Sequence, residues 1–194
     1  MAIKLAGITC ELREVFLREK PEQMVSISNK GTVPVLQLPD GNVIDESLDV
    51  MLWALDYSDP EKWLDADKIE TITLINENDF VFKEYLDRYK YHVRFPEHSQ
   101  TYYRSCAEKF LQKLENRLII NEGHGFVLQR STLADVAIFP FIRQFAHVDR
   151  AWFEQSKYNY LKLWLEDFET SQLFKSVMNK YDQWKSSDDV VLFE

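Results

Sequence analysis

The spacing of apolar residues changes abruptly near residues 56–66 of this 194-residue chain. Before that point, apolar runs are short and alternate with turn-forming residues, a pattern typical of strands and short helices. After it, apolar residues recur at three- and four-residue steps, which predicts helices throughout. The sequence therefore predicts an α+β, mostly α chain, with an α/β domain at residues 1–57 followed by an all-helical domain at residues 64–194.

The first domain contains a strong hairpin signal. Thr32–Leu38 is predicted to be one strand and Val43–Ile44 the next, with a turn between them that contains Asp40–Gly41. An Asp-Gly pair between two apolar runs favours a tight turn. Glu11–Leu17 is a second strand candidate, with imperfect alternation, and Ser47–Tyr57 has the apolar face of a helix.

The second domain is predicted to begin with one long helix, because apolar residues from Ile69 to Val93 share one face. Apolar stripes predict four further helices, at Tyr103–Leu118, Thr132–Ala146, Tyr160–Phe168 and Ser171–Trp184.

Charge and cysteine content limit the possible partners. The formal net charge of −9 repels phosphate backbones and anionic lipid, so we expect neither a nucleic-acid nor a membrane partner. The longest apolar stretch, Val136–Ile142, is too short to span a bilayer. Cys10 and Cys106 match neither a disulfide framework nor a metal site. We therefore expect a metal-free protein of the reducing cytoplasm.

The first residues have an unusual helix signal. Residues 1–6 favour a helix, and Gly7–Ile8 fits a Schellman-type ending, but no N-cap residue precedes them. Six residues are about half a mean helix, and isolated helices that short are unstable. We expect Met1 to lie inside a helix whose beginning is absent from this sequence. A short, frayed turn packed on a neighbour is the alternative.

Three motifs follow one another along the chain: Lys30–Leu36, Asp45–Leu48 and Ser131–Ala137. In this order and with these separations, the chain resembles the cytosolic glutathione transferase family over nearly its whole length. It is similar to bacterial members near the omega-type or glutaredoxin-like branch. The resemblance implies a thioredoxin-like N-terminal domain and an all-helical C-terminal domain.

The resemblance implies a glutathione-binding turn at Val33–Pro34. A cis bond before Pro34 leaves the backbone of Val33 facing outward, where it pairs with the cysteinyl backbone of glutathione. A proline that only ends strand pairing is the alternative.

Three further side chains are implied as glutathione ligands. At the start of the predicted helix, Ser47 and the free amides suit the γ-glutamyl carboxylate, and Glu46 can accept from its ammonium group. Lys20, just before a proline, matches the lysine that reaches the glycyl carboxylate. An ordinary N-cap serine with an acidic first turn and a solvated surface lysine are the alternatives.

Thr132 and Asp135 resemble the capping box of the family's C-terminal domain, and we interpret this pair as structural. The Thr132 side chain is predicted to cap the helix by accepting from the Asp135 amide. The Asp135 carboxylate is predicted to accept a hydrogen bond from the Thr132 amide. The pair stabilises the fold and does not contribute to chemistry.

No residue is assigned a catalytic role. The family's catalytic loop lies between its first strand and first helix, and Met1 aligns within the later half of that helix. We therefore expect an incomplete thioredoxin-like domain that lacks its first strand and first half-helix, about 20 residues. Cys10 and Cys106 are expected to be structural thiols.

The sequence as a whole predicts a glutathione transferase-like protein with glutathione as substrate. In complete form it conjugates glutathione to an electrophile of unknown identity or reduces mixed disulfides. The resemblance also implies a homodimer. A non-enzymatic protein-interaction module of the same architecture, or an inactive remnant, is the alternative.

Overall fold

The computed structural model describes residues 1–194. They form two units, one made of residues 1–61 and 172–194 and the other of residues 62–171. Each unit has its own elements and is described separately.

The first unit begins with three helices and three short strands. In chain order they are α1 (Ala2–Leu5), β1 (Cys10–Glu11), α2 (Glu22–Ile27), β2 (Leu36–Gln37), β3 (Val43–Ile44) and α3 (Ser47–Tyr57). The predicted Schellman ending of α1 is confirmed, because the Ile8 amide donates to the Ile3 carbonyl at 3.1 Å and Gly7 has a φ of +68°.

The predicted hairpin and the helix after it are both confirmed, although the first strand is only Leu36–Gln37 instead of Thr32–Leu38. β2 and β3 pair antiparallel, with Leu36 opposite Ile44. The turn requires Gly41, which has a φ of +90°, a value that residues with a Cβ rarely adopt. Helix α3 spans Ser47–Tyr57 as predicted and buries one apolar stripe against the unit's interior, formed by Val50, Ala54 and Leu55.

The second unit is entirely helical. Its α-helices are α4 (Lys68–Glu77), α5 (Lys83–Lys90), α6 (Gln100–Ile120), α7 (Leu133–Val148), α8 (Arg150–Gln155) and α9 (Asn159–Thr170). Phe82, Phe110 and Phe145 pack in its core with ring centroids 5.1 and 5.8 Å apart. None of the helices in the chain is long and apolar enough to cross a membrane.

The prediction of one long helix from Ile69 to Val93 is wrong. A π-helical turn, Asn78–Phe82, separates α4 from α5, and α5 ends at Lys90. A π turn uses one more residue per turn than an α-helix, so it shifts the buried face along the sequence. Ile69 and Val93, which the prediction placed on the buried face, are exposed, whereas Phe82 and Leu86 are buried.

The last part of the chain completes the first unit with α10 (Gln172–Ser176) and β4 (Leu192–Phe193). β4 pairs antiparallel with β1, which corrects the predicted strand at Glu11–Leu17. Only Cys10–Glu11 is assigned as strand. The Glu19 amide donates to the Phe16 carbonyl at 2.8 Å, so the chain turns there instead of continuing as a strand.

Thr132 and Asp135 form a capping box at the start of α7. The Asp135 carboxylate is fully buried and accepts four hydrogen bonds. The donors are the Thr132 amide and hydroxyl, the Phe126 amide and the Trp164 indole, at 2.8–3.1 Å. One carboxylate therefore joins the loop before α7 to the start of α7 and to α9.

Burial raises the pKa of Asp135 to about 6, against the opposing effect of its hydrogen bonds. Because the folded state binds this proton more tightly than the unfolded state, the group stabilises the fold fully below about pH 4 and loses that contribution as the pH rises through 6. The difference between pH 4 and pH 7 amounts to about 2 kcal/mol.

We predict that the wild-type protein exceeds Asp135→Asn in thermal stability by more at pH 4 than at pH 7, because the asparagine does not titrate. Thermal unfolding followed by circular dichroism at the two pH values measures this. A stability difference that is constant, or larger at pH 7, contradicts the assigned titration.

Candidate functional site

The loop Ser28–Val33 is fastened to the start of α3 by one ammonium group. Lys30 Nζ donates to Glu46 Oε1 at 2.5 Å and to Asp45 Oδ1 at 3.0 Å. The Ser28 hydroxyl donates to the other oxygen of Asp45 at 2.8 Å. This network holds the loop leading to Val33 beside the first turn of α3.

The network also shifts the pKa values of Lys30 and Asp45. Hydrogen bonds to Glu46 and Asp45 raise the pKa of Lys30. Hydrogen bonds from Lys30 and Ser28 lower the pKa of Asp45. Both shifts favour the charged forms, so the ion pairs persist at neutral pH.

Val33 presents an unpaired backbone to its surroundings. It is 49% exposed and its amide and carbonyl take part in no hydrogen bond. The Val33–Pro34 peptide bond is cis. An unpaired backbone donor and acceptor on an exposed residue can pair with the backbone of a bound peptide.

The first turn of α3 also has hydrogen-bond donors without partners. Glu46 is the N-cap residue, but its side chain makes no capping hydrogen bond. The Ser47 hydroxyl and the amides of Ser47, Leu48 and Asp49 have no intramolecular partner. These amides lie at the positive end of the helix dipole, which suits a carboxylate.

Lys20 lies against the same loop at Gly31. Gly31 is buried with a φ of +60°, and a Cβ built there would lie 3.2 Å from Lys20 Nζ. The absence of a side chain at Gly31 therefore makes room for the lysine. Lys20 and Glu46, which are far apart in sequence, therefore both lie against the loop that ends at Val33.

The cavities beside Val33 involve only part of the predicted set. Two cavities of about 450 and 320 Å³ are both lined by Val33, and the larger also by Pro34. Lys20, Glu46 and Ser47 are in the wall of neither. These three side chains lie on the exposed surface, so a ligand that touches them and Val33 rests on the loop, outside both cavities.

Sequence reasoning missed Lys30, Ser28 and Asp45. Lys30 and Asp45 lie in the motifs that suggested the family, but their pairing links residues 15 positions apart. Opposite charges could have indicated this pairing, because the first motif contains a lysine and the second contains two adjacent carboxylates, Asp45 and Glu46.

The two cysteines are free. Burial raises the pKa of the half-buried Cys10, so its thiol is less ionised than an exposed one and is a poor nucleophile at neutral pH. Cys106 lies on α6, in the second unit. No cluster of His, Cys, Asp and Glu side chains is arranged to hold a metal ion.

Comparisons with known families identify both parts of the chain. Residues 1–56 match the family described as "Glutathione S-transferase, N-terminal domain". Residues 79–180 match "Glutathione S-transferase, C-terminal domain". Comparison with curated protein sequences gave no match.

Solved structures agree in fold. A class Gtt2 glutathione S-transferase from Vibrio parahaemolyticus is 20% identical, with a TM-score of 0.71 over 90% of this chain and 88% of that one. A glutathione transferase from Populus trichocarpa is 15% identical, with a TM-score of 0.73 over 91% and 89%. One from Rhodospirillum rubrum is 17% identical, with a TM-score of 0.72 over 93% and 86%. At these identities the likeness establishes the fold.

We predict that Lys30→Met raises the pKa of Asp45 toward its ordinary value, because the largest stabilising contact of that carboxylate is lost. The pKa stays below the ordinary value because the Ser28 hydrogen bond remains. A pH titration of the carboxyl carbon by NMR measures this, with Lys68→Met as control, since Lys68 is exposed and lies in the other unit. An unchanged Asp45 titration contradicts the network.

Proposed function

Because this chain belongs to the glutathione S-transferase family, we propose that it binds glutathione where the Ser28–Val33 loop meets the start of α3. We call this surface the loop–helix site. The observation that supports the proposal most directly is the unpaired backbone of the half-exposed Val33, on a loop that Lys30 links to α3.

The peptide backbone of glutathione matches the exposed edge at Val33. The cysteinyl residue pairs its amide and carbonyl with those of Val33, as a short added strand. Backbone pairing is independent of the ligand's side chain, so it leaves the sulfur free for chemistry.

The γ-glutamyl end of glutathione matches the start of α3. Its carboxylate accepts from the free amides of the first turn and from the Ser47 hydroxyl. Its ammonium group donates to Glu46, while Lys30 retains its contact with Asp45. At the other end of the tripeptide, the glycyl carboxylate pairs with Lys20.

The reaction we propose is transfer of the glutathione sulfur. The thiol loses its proton to solvent, the thiolate forms a bond to an electrophilic carbon, and the leaving group departs with its electron pair. In the related reduction, the thiolate attacks the glutathione sulfur of a mixed disulfide, which gives glutathione disulfide and a free thiol. None of the residues at the loop–helix site is assigned to ionise the thiol, so the proposed roles are binding and orientation.

The cellular compartment and the oligomeric state that we propose rest partly on the same family assignment. We propose a cytoplasmic protein, since both cysteines are free thiols and a reducing compartment keeps them so. We also propose a homodimer, the usual assembly of the family, with an electrophile as second substrate.

We predict that Ser47→Ala weakens the binding of reduced glutathione roughly tenfold or more, because a hydrogen bond to a charged group is lost. Isothermal titration calorimetry measures the dissociation constant. Ser58→Ala is the matched control, since Ser58 follows the opposite end of the same helix.

Two results contradict the proposal. One is wild-type protein that does not bind reduced glutathione at millimolar concentration. The other is an affinity for glutathione that is the same in Ser47→Ala and the wild type.

A further inference from the structure

The start of α3 offers a carboxylate several free donors, but its acceptors for an ammonium group are already in use. The donors are the amides of the first turn and the Ser47 hydroxyl, which have no intramolecular partner. The acceptors are the carboxylates of Asp45 and Glu46, and Lys30 Nζ donates to them at 3.0 and 2.5 Å. A ligand with an ammonium group therefore meets two carboxylates that already share a cation of the chain itself.

Further contacts keep Lys30 in this position. The Ser28 hydroxyl donates to the other oxygen of Asp45 at 2.8 Å, so this carboxylate is held on both sides. The Gly31 amide donates to the Ser28 carbonyl at 3.3 Å and closes a turn around Lys30. The two carboxylates raise the pKa of Lys30, so it stays charged at neutral pH. Lys30 is thus a permanent cation beside Glu46.

An ammonium group that binds at Glu46 exchanges one contact for another. Two cations this close to one carboxylate repel each other, so the ligand's ammonium group displaces Lys30 from Glu46. The Glu46 side chain is 61% exposed, and exposed ion pairs each contribute little free energy. The gain from the ligand's ammonium group and the loss of the Lys30 contact therefore nearly cancel.

A ligand without the ammonium group avoids this exchange. Lys30 keeps its contacts with both Asp45 and Glu46, and its charge adds to the positive end of the α3 dipole. The ligand's carboxylate still accepts from the first-turn amides and from the Ser47 hydroxyl. Such a ligand loses no contact that the site supplies without cost.

We propose that Lys30 replaces the ligand's ammonium group, so that the loop–helix site binds thiol tripeptides lacking the α-amino group nearly as tightly as glutathione. The ligand class is an acyl-cysteinylglycine whose acyl chain ends in a carboxylate. This inference rests on the proposed glutathione binding and specifies a part of glutathione that the site does not require.

Isothermal titration calorimetry with two reduced thiols tests the proposal. One is glutathione, and the other is glutaryl-cysteinylglycine, in which a hydrogen atom replaces the ammonium group. Wild-type protein binds the two with dissociation constants within about threefold of each other. In Lys30→Met the preference for glutathione rises about fivefold, because its ammonium group then pairs with Glu46 without displacing another cation.

Lys20→Met is the matched control, because it removes the same charge from the same loop. Lys20 lies against Gly31, whereas the ion pairs of Asp45 and Glu46 are made with Lys30. Lys20 is assigned to the glycyl carboxylate, which both thiols contain. Both affinities are therefore expected to fall in Lys20→Met, and their ratio to stay at the wild-type value.

The outcomes distinguish this inference from the function on which it rests. If neither thiol binds to the wild type at millimolar concentration, the proposed glutathione binding fails. If glutathione binds, a wild-type preference for it of more than threefold overturns the inference, and this comparison needs no variant. A preference that is the same in Lys30→Met and the wild type also overturns it. So does a preference that rises equally in Lys20→Met.

Discussion

A single ammonium group shared by two carboxylates sets the geometry of the candidate site. Lys30 contacts Glu46 and Asp45, and through them the loop before Val33 is fixed beside the first turn of α3. The Lys30 side chain is about half exposed, and exposed ion pairs contribute only about 0–1 kcal/mol to stability. We infer that this network positions the loop and adds little to the stability of the fold.

The stability of the second unit depends on a buried carboxylate, in contrast to the exposed ion pairs of Lys30. Asp135 is fully buried, and its four donors come from the preceding loop, the start of α7 and α9. A buried donor that loses its acceptor costs about 1–3 kcal/mol, so this carboxylate affects stability far more than the Lys30 pairs do. The candidate site thus contains an exposed network of ion pairs, whereas the helical core contains one buried carboxylate with four hydrogen-bond donors.

Features with a local cause could be predicted from the sequence. The hairpin needs only Asp40–Gly41 between apolar runs, and α3 needs only its apolar stripe. The π turn at Asn78–Phe82 could not be predicted from helical periodicity, because it changes that periodicity. The bounds of β1 were also wrong, as Glu11–Leu17 instead of Cys10–Glu11, since its partner β4 lies about 180 residues away. For the same reason, motif spacing pointed to Val33 and Glu46 but not to the role of Lys30, whose partners lie 15 and 16 positions away.

The central claim is that glutathione rests on the backbone of Val33 and the first turn of α3. An amide NMR titration of the ¹⁵N-labelled protein with reduced glutathione tests it most directly. The account predicts saturable shifts, with one dissociation constant, at Val33 and at Ser47, Leu48 and Asp49. Saturable shifts confined to other residues, with these four amides unchanged, would contradict it.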